Sequence, residues 1–512
     1  MFKTPAALLR ILHLFHRWSG IVLGALVLAW FVSGIIMVFV ARPRWSEEER
    51  LAALPLLTAD LTQTAHAAWQ PPMPPWEAWR ALGRADLPES VRLHRIGERS
   101  VYRFQTRDPA WLTVDAANGR RLTAEDFTAE AAIRRALEAS AAKTGRHANT
   151  SNAAGLGSPA PAVTLIARDQ WTVTARFDPL RPFYRVDLND ADGQTFYVSR
   201  QTGEVVLDMT RAERLWNWFG TTVHWIYITP LRAAPKVWRQ VVIWLSFAAL
   251  LMAISGLWLG IQRLRIRQPY PGGRFSPYRD GWKLWHHWLG LAGSVFLIAW
   301  LFSGWISMAP FGLLRGGQLS IEERQWLTGG ALDAELLQHA PPHELPADVR
   351  EIRWLRFAGQ PLILLQSTET SRLVAPGTDK PPFARLSLEE IAKRAAGLLP
   401  DARIHTAEWL EKPDSEYYPR RHRVPTLPVV RIRFDDANGT AYYINPANGN
   451  VVRKIDDNSR RYRWLFSALH RFDFPPLNFW ENGRVALILV TSAIGIALCI
   501  GAGVLAWKRF RR

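Results

Sequence analysis

Four stretches of the chain carry almost no charged side chain over a length sufficient to cross a hydrocarbon core of about 30 Å: residues 18–40, 238–262, 286–309 and 484–507. Between them lie two long segments, 41–237 and 310–483, where polar and apolar positions follow shorter periods. Residues 124–143 and 387–399 have helical periodicity; Thr123 and Ser387 stand where N-caps are expected, and Ser387 with Glu390 matches a capping box. Each is followed by alternating strands. Residues 183–188 and 195–199, and again 429–434 and 441–445, flank Asp/Asn-Gly turns of the kind hairpins favour. Second turns, Gln201-Thr202-Gly203 and Ala447-Asn448-Gly449, lead into Val205-Val206 and Val451-Val452. Residues 111–122, around Ala117-Asn118-Gly119, form a similar hairpin pattern, and 70–75 and 153–161 read as loops. The predicted class is an α+β membrane protein, with four transmembrane helices and two external α+β units.

Charge orients these elements. The 512 residues carry a formal net charge of +18. Two thirds of it falls on three short segments: the residues before the first span, the loop 263–285 and the tail 508–512. Lys and Arg concentrate on the cytoplasmic side, so both termini and the central loop are expected inside and the two long segments outside. The first span, with its leader (residues 1–40), is longer than a signal-peptide core. Ala41-Arg42-Pro43-Arg44 follows it rather than a cleavage site, so it is expected to remain as an anchor. With no RNP-type motif or basic fold, the high pI is a topology signal and not a nucleic-acid one. The single Cys499 excludes a disulfide scaffold, a thiolate zinc site and an iron–sulfur cluster.

The chain is also written twice. His16-Arg17-Trp18-Ser19-Gly20 recurs as His286-His287-Trp288-Leu289-Gly290, and Ala29-Trp30-Phe31-Val32-Ser33-Gly34 as Ala299-Trp300-Leu301-Phe302-Ser303-Gly304, both 270 residues later. Asp190-Ala191-Asp192-Gly193, Gly203 and His224 recur 246 residues later, at Asp436-Ala437-Asn438-Gly439, Gly449 and His470. The halves are predicted to be parallel pseudo-repeats, related by an axis along the membrane normal.

Four histidines obey this repeat. His16 and His286 open the two outward-going helices. His224 and His470 lie on short aromatic segments, 214–228 and 460–472, just before the inward-going spans. Two histidines on facing helices at one depth are what a six-coordinate haem iron requires, and ionisable residues inside a bilayer are functional candidates. The bland alternative is an interfacial histidine among headgroups; duplication of both pairs favours ligation. His13, one turn before His16, is an alternative inner ligand, but its repeat partner is Lys283. His287 is rotated about 100° from His286, so one of the two is expected to face the core. Repeated Gly and Ser positions in the spans suit close approach of a flat macrocycle or a neighbouring helix. Arg17, Arg214, Arg239, Arg460 and Arg484 are candidates for haem carboxylates, but for each taken singly interface anchoring is the preferred reading. The external histidines (His66, His94, His147, His339, His343, His405, His422) show no metal-ligand spacing.

The repeated His-x-Trp-x-Gly at a helix start, Ser-Gly one bilayer later, external segments ending in Gly-x-Val-Val, and a histidine before each return helix resemble the PepSY-associated transmembrane family. That family includes inner-membrane ferric-siderophore reductases and iron-regulated proteins. The resemblance implies a bacterial inner-membrane protein with two periplasmic PepSY-like domains. It also implies haem b, two copies if both pairs are used, held by His16, His286, His224 and His470. The expected activity is electron transfer across the bilayer from quinol or a separate reductase to a periplasmic acceptor such as a ferric siderophore. The inside segments are too short for a flavin or nicotinamide domain, and there is no strand-linked GxGxxG. Two rivals are a membrane-anchored PepSY module that binds a peptide, peptidase or envelope partner, and a siderophore or iron transport component.

Overall fold

The computed structural model describes residues 6–58, 71–108, 110–145, 160–378, 381–422 and 424–511. Its four longest helices are α1 (Ala6–Phe39), α2 (Pro235–Arg263), α3 (Gly281–Ser307) and α4 (Glu481–Phe510). All four are long and apolar enough to cross a membrane. Each starts several residues before the apolar run, because helix propagation continues through Arg and Lys once they project beyond the hydrocarbon. Pro235 starts α2 where a proline's missing N–H costs nothing. Trp18, Trp285 and Trp507 are exposed toward one end of the bundle, and Trp218, Trp464 and Trp480 at the other, as two aromatic belts require.

α1 and α3 each pack against both α2 and α4, so α1 and α3 face one another across the bundle. Leu23, Val27 and Phe31 of α1 meet Ala249, Leu250, Met252 and Ala253 of α2, with Leu297 and Leu301 of α3 and Leu498 of α4. Several span glycines exist for this packing. A Cβ on Gly495 would fall 2.2 Å from the Phe31 ring, and those on Gly260 and Gly293 would meet Leu291 and Ile494 at 3.0 Å.

Outside the bundle, the hairpins form where their turns are written. Phe183–Asp187 pairs with Thr195–Ser199, and Val429–Phe434 with Ala441–Ile444. Each lies in a four-stranded antiparallel sheet, completed by Ala162–Ile166 and Val205–Met209 in the first half and by Ile404–Leu410 and Val451–Ile455 in the second. Helix Ala129–Thr144 covers the first sheet through Ala132, Ala136 and Ala139; helix Leu388–Ala395 covers the second. Ser387 and Glu390 make the capping box. The other N-cap is corrected: Thr128, not Thr123, accepts from the Ala131 N–H. Phe127 has to reach the core beside Val101 and Leu122, so residues 123–126 form a turn and the helix begins after it. The loop expected at 153–161 lies mostly outside the described residues, and of 70–75 the described part ends with Pro75 opening the short helix Pro75–Arg80.

The picture of two small external units is amended by a third sheet that both halves build. Ser90–Ile96 pairs antiparallel with Glu351–Phe357 at the centre of seven strands, four from the first half and three from the second. This seam is polar and buried. Glu351 faces His94 in register and binds Arg50 at 2.7 Å. Glu204 lies 3.4 Å from both Arg92 and His94 Nε2, and 3.6 Å from Arg103. Burial pushes the His94 imidazole down to about 3, so it is neutral in the folded seam. Burial alone would raise Glu204; Arg92, Arg103, His94 and Arg50 outweigh it and hold the carboxyl at about 2.

Candidate functional site

The two histidines at the sheet-side end of the bundle, termed the outer pair for that position, arrive on unusual turns. Helix Arg211–Asn217, capped by Thr210 and Glu213, widens into a π-helical turn at Trp218–Thr222 and then delivers His224. Helix Asp457–Tyr462, capped by Asp456, widens at Arg463–Ala468 and delivers His470 within Leu469–Arg471. A π turn inserts one extra residue and so rotates the side chains beyond it about the helix axis; such turns occur frequently at functional sites. The first histidine segment packs on α1, the second on α3.

There the Ser-Gly repeats meet them. His224 Nδ1 lies 3.1 Å from Ser33 Oγ, and His470 Nδ1 lies 3.0 Å from Ser303 Oγ. Each hydroxyl spends its one hydrogen on a carbonyl three residues back, Trp30 or Trp300. The oxygen is therefore left to accept from the imidazole, which assigns the proton to Nδ1 and the lone pair to Nε2. Gly34 and Gly304 keep the next position bare: a Cβ there would stand 3.5 and 3.6 Å from the two Cε1 atoms. The ring centres are 6.1 Å apart at an interplanar angle of 74°. Phe466 stacks on His470.

The inner pair is built on the bundle itself. His16 of α1 and His286 of α3 have ring centres 6.3 Å apart. His16 Nδ1 is 3.1 Å from the Met252 carbonyl; a carbonyl only accepts, so again the proton is on Nδ1 and Nε2 is left with its lone pair. The backbone group that His286 meets is that of Leu498, which stands 246 residues after Met252. His16 rests on bare Gly256, where a Cβ would fall 2.5 Å from Cε1. Among the described residues, Nε2 of none of these four histidines makes a hydrogen bond within the protein.

The neighbouring histidines are occupied otherwise. Arg263 donates to His13 Nε2 at 3.2 Å. His287 uses both nitrogens, Nδ1 with Ser276 Oγ at 2.9 Å and Nε2 with the Gly260 carbonyl at 3.0 Å. The expectation that one of the two adjacent histidines turns inward is therefore amended: both do, His286 toward His16 and the buried His287 toward the end of α2. His94 belongs to the seam, and His66 and His147 lie outside the described residues.

From His16 to Ser33, and from His286 to Ser303, is 17 residues, or about 25 Å along a helix. The two pairs thus occupy opposite ends of the span. Beside the outer pair opens a cavity of about 650 Å³, apolar in its depth (Val27, Phe31, Leu297, Trp300, Leu301) and lined at its mouth by Arg420, Arg421, Arg471 and Arg484. Of the arginines singled out from the sequence, only Arg484 is there, held by Glu481. Arg239 binds the Met308 and Ala309 carbonyls, Arg214 binds Thr195, and Arg460 binds Glu416, while Arg17 is exposed. No motif marks Arg420, Arg421 or Arg471; only the fold brings them to the rim.

A family model described as PepSY-associated TM region matches residues 14–363. That stretch contains His16, His224 and His286 and three of the four long helices, and stops before His470 and α4. No curated protein matches the chain.

Proposed function

The chain belongs to the family described as PepSY-associated TM region, and from that premise we propose that this multi-pass membrane protein holds haem b at two levels and passes electrons across the bilayer. The single observation carrying this reading is the spacing of the two histidine pairs. Two imidazoles bound to one metal, with bonds of about 2 Å and about 1 Å more from each nitrogen to its ring centre, stand about 6 Å apart. The pairs measure 6.3 and 6.1 Å. Among the described residues no group of three or more His, Cys, Asp or Glu converges on either pair. Two imidazoles suit a metal whose other positions are supplied by a ring ligand. Haem bound between them would supply one-electron redox chemistry.

In this reading His16 with His286, and His224 with His470, are the residues that would hold the haem iron. Ser33, Ser303 and the Met252 carbonyl hold the Nδ1 protons and so aim Nε2. The apolar bundle core excludes water. The halves act as parallel pseudo-repeats, with the inner pair on the cytoplasmic side and the three sheets on the periplasmic side. The donor is quinol or a separate reductase, and the acceptor implied by the family resemblance is a ferric siderophore. Reduction to iron(II) would weaken its hard-oxygen chelation.

The test is an absorption spectrum of the purified, detergent-solubilised chain. A Soret band with low-spin bands on reduction is expected, and its absence at full protein level would leave the anchored binding module as the better reading. Reporters fused at Gly273 and after Arg512 should score cytoplasmic and one at Thr378 periplasmic; the reverse at Gly273 would overturn the orientation.

A further inference from the structure

The mouth of the outer cavity carries more positive charge than its neighbours neutralise. Arg420, Arg421, Arg471 and Arg484 line it together with only Asp473 and Glu481. Both acids are engaged. Asp473 accepts from the Tyr418 hydroxyl and lies 3.6 Å from Arg463; Glu481 holds Arg484 and lies 3.6 Å from Arg421. Arg471 and Arg420 form no ion pair among the described residues. Arg471 donates to Ser467 Oγ at 2.8 Å and lies over the Phe466 ring that stacks on His470, yet its Nε is buried with no partner. Arg420 lies over Tyr418. The first half differs: Arg42 and Arg232 lie over Trp225, Tyr227 and Trp238, and neither lines the cavity.

An apolar depth beneath a rim of spare guanidinium groups fits a ligand with a flat apolar body and anionic groups along one edge. Guanidinium binds carboxylates in forked pairs of hydrogen bonds, which sets orientation as well as affinity. We propose that Arg420 and Arg471, with Arg421 at the rim, clamp the carboxylates of a tetrapyrrole lying between His224 and His470. This rests on the haem reading above and deepens it. It assigns the carboxylate edge to the extramembrane side and makes the outer site selective for a porphyrin acid over its ester. The two halves, alike in their histidines, then differ in charge: the second supplies the clamp.

Metal-free protoporphyrin IX needs no axial ligand, so it tests the clamp apart from ligation. The full-length protein in detergent is titrated with protoporphyrin IX and with its dimethyl ester, followed by porphyrin fluorescence. The free acid is expected to bind at least tenfold more tightly than the ester. Arg420→Gln combined with Arg471→Gln should abolish that preference while ester affinity stays within twofold, and Arg420→Lys with Arg471→Lys should keep part of it. His470→Ala should keep the acid preference and lose the outer low-spin haem signal alone. Equal binding of acid and ester by the wild-type chain overturns the clamp even if low-spin haem is present. Parallel loss of both porphyrins in the Gln variant also overturns it, because the arginines would then shape the cavity rather than bind carboxylates. An acid preference without any low-spin haem would sink the haem reading and leave the clamp standing.

Discussion

The inner and outer histidine pairs have nearly the same ring separation, 6.3 and 6.1 Å, yet they depend on different parts of the fold. The inner rings belong to α1 and α3, and His16 is fixed by a backbone carbonyl and a bare glycine of the adjacent α2. Only the bundle is needed to form that pair. The outer rings come from segments that close the two four-stranded sheets, and they are received by serines on α1 and α3. That pair exists only when the extramembrane body sits correctly on the bundle. One pair is thus an intrinsic property of four packed helices, and the other a junction between two bodies.

On the proposed haem reading, the largest effect that separates the pairs is loss of a ligand. His224→Ala or His470→Ala should remove one low-spin haem signal and spare the other, and His16→Ala or His286→Ala should do the converse. His13→Ala and His287→Ala should keep both. The measurement is a reduced-minus-oxidised spectrum at matched protein level. Equal loss of both signals in a folded single variant would break the division into two levels.

Next comes a steric change aimed at one pair. Gly256→Ala places a methyl 2.5 Å from His16 Cε1, whereas Gly34→Ala places one at an ordinary 3.5 Å from His224. The first should displace the inner ring and cut inner haem occupancy by at least tenfold with the outer signal intact; the second should be tolerated. Haem titration of each variant checks this, and a Gly34 variant harmed as badly would argue against the packing described.

A smaller change is expected from the serines. Ser33→Ala or Ser303→Ala removes the acceptor that holds Nδ1–H, and loss of such orienting partners weakens metal sites by tenfold to a hundredfold. Outer haem affinity should fall in that range without a change of spin state, and the inner site should not respond.

The gentlest probe is pH. His94 has a folded value of about 3, below its ordinary 6.5, so between these values the unfolded chain binds more protons. Its contribution is complete above 6.5 and is lost as pH falls through 3. Glu204, at about 2 rather than 4.5, acts in the same direction at lower pH. The seven-stranded seam should therefore loosen progressively below 6.5. The outer haem signal should weaken before the inner one, and His94→Phe should flatten the upper part of that slope. Simultaneous fading of both signals would show that the outer pair does not rely on the seam.

Much of this was legible along the chain because it depends on neighbours in sequence. Uninterrupted apolar length marks a span, Asp/Asn-Gly marks a hairpin, and Ser-x-x-Glu marks a helix start; each works within a few residues. The four histidines were visible for a different reason, their recurrence at fixed offsets. What tertiary structure decided lies beyond that range. The central strand pair joins residues about 260 positions apart, and nothing local distinguishes Glu351–Phe357 from a strand with some other partner. Thr123 looks as good a cap as Thr128 until Phe127 claims its place in the core. Ser33 and Ser303 read as small residues for helix packing; only the π turns, by re-aiming the histidines, make their hydroxyls the groups that fix a tautomer. Arg420 and Arg471 belong to no pattern at all, since the rim they form is drawn from a loop and a helix end that meet only when the body docks on the bundle. Local propensity chooses the elements, but burial and the pairing of distant polar groups choose which surfaces face each other, and the outer site is made of those choices.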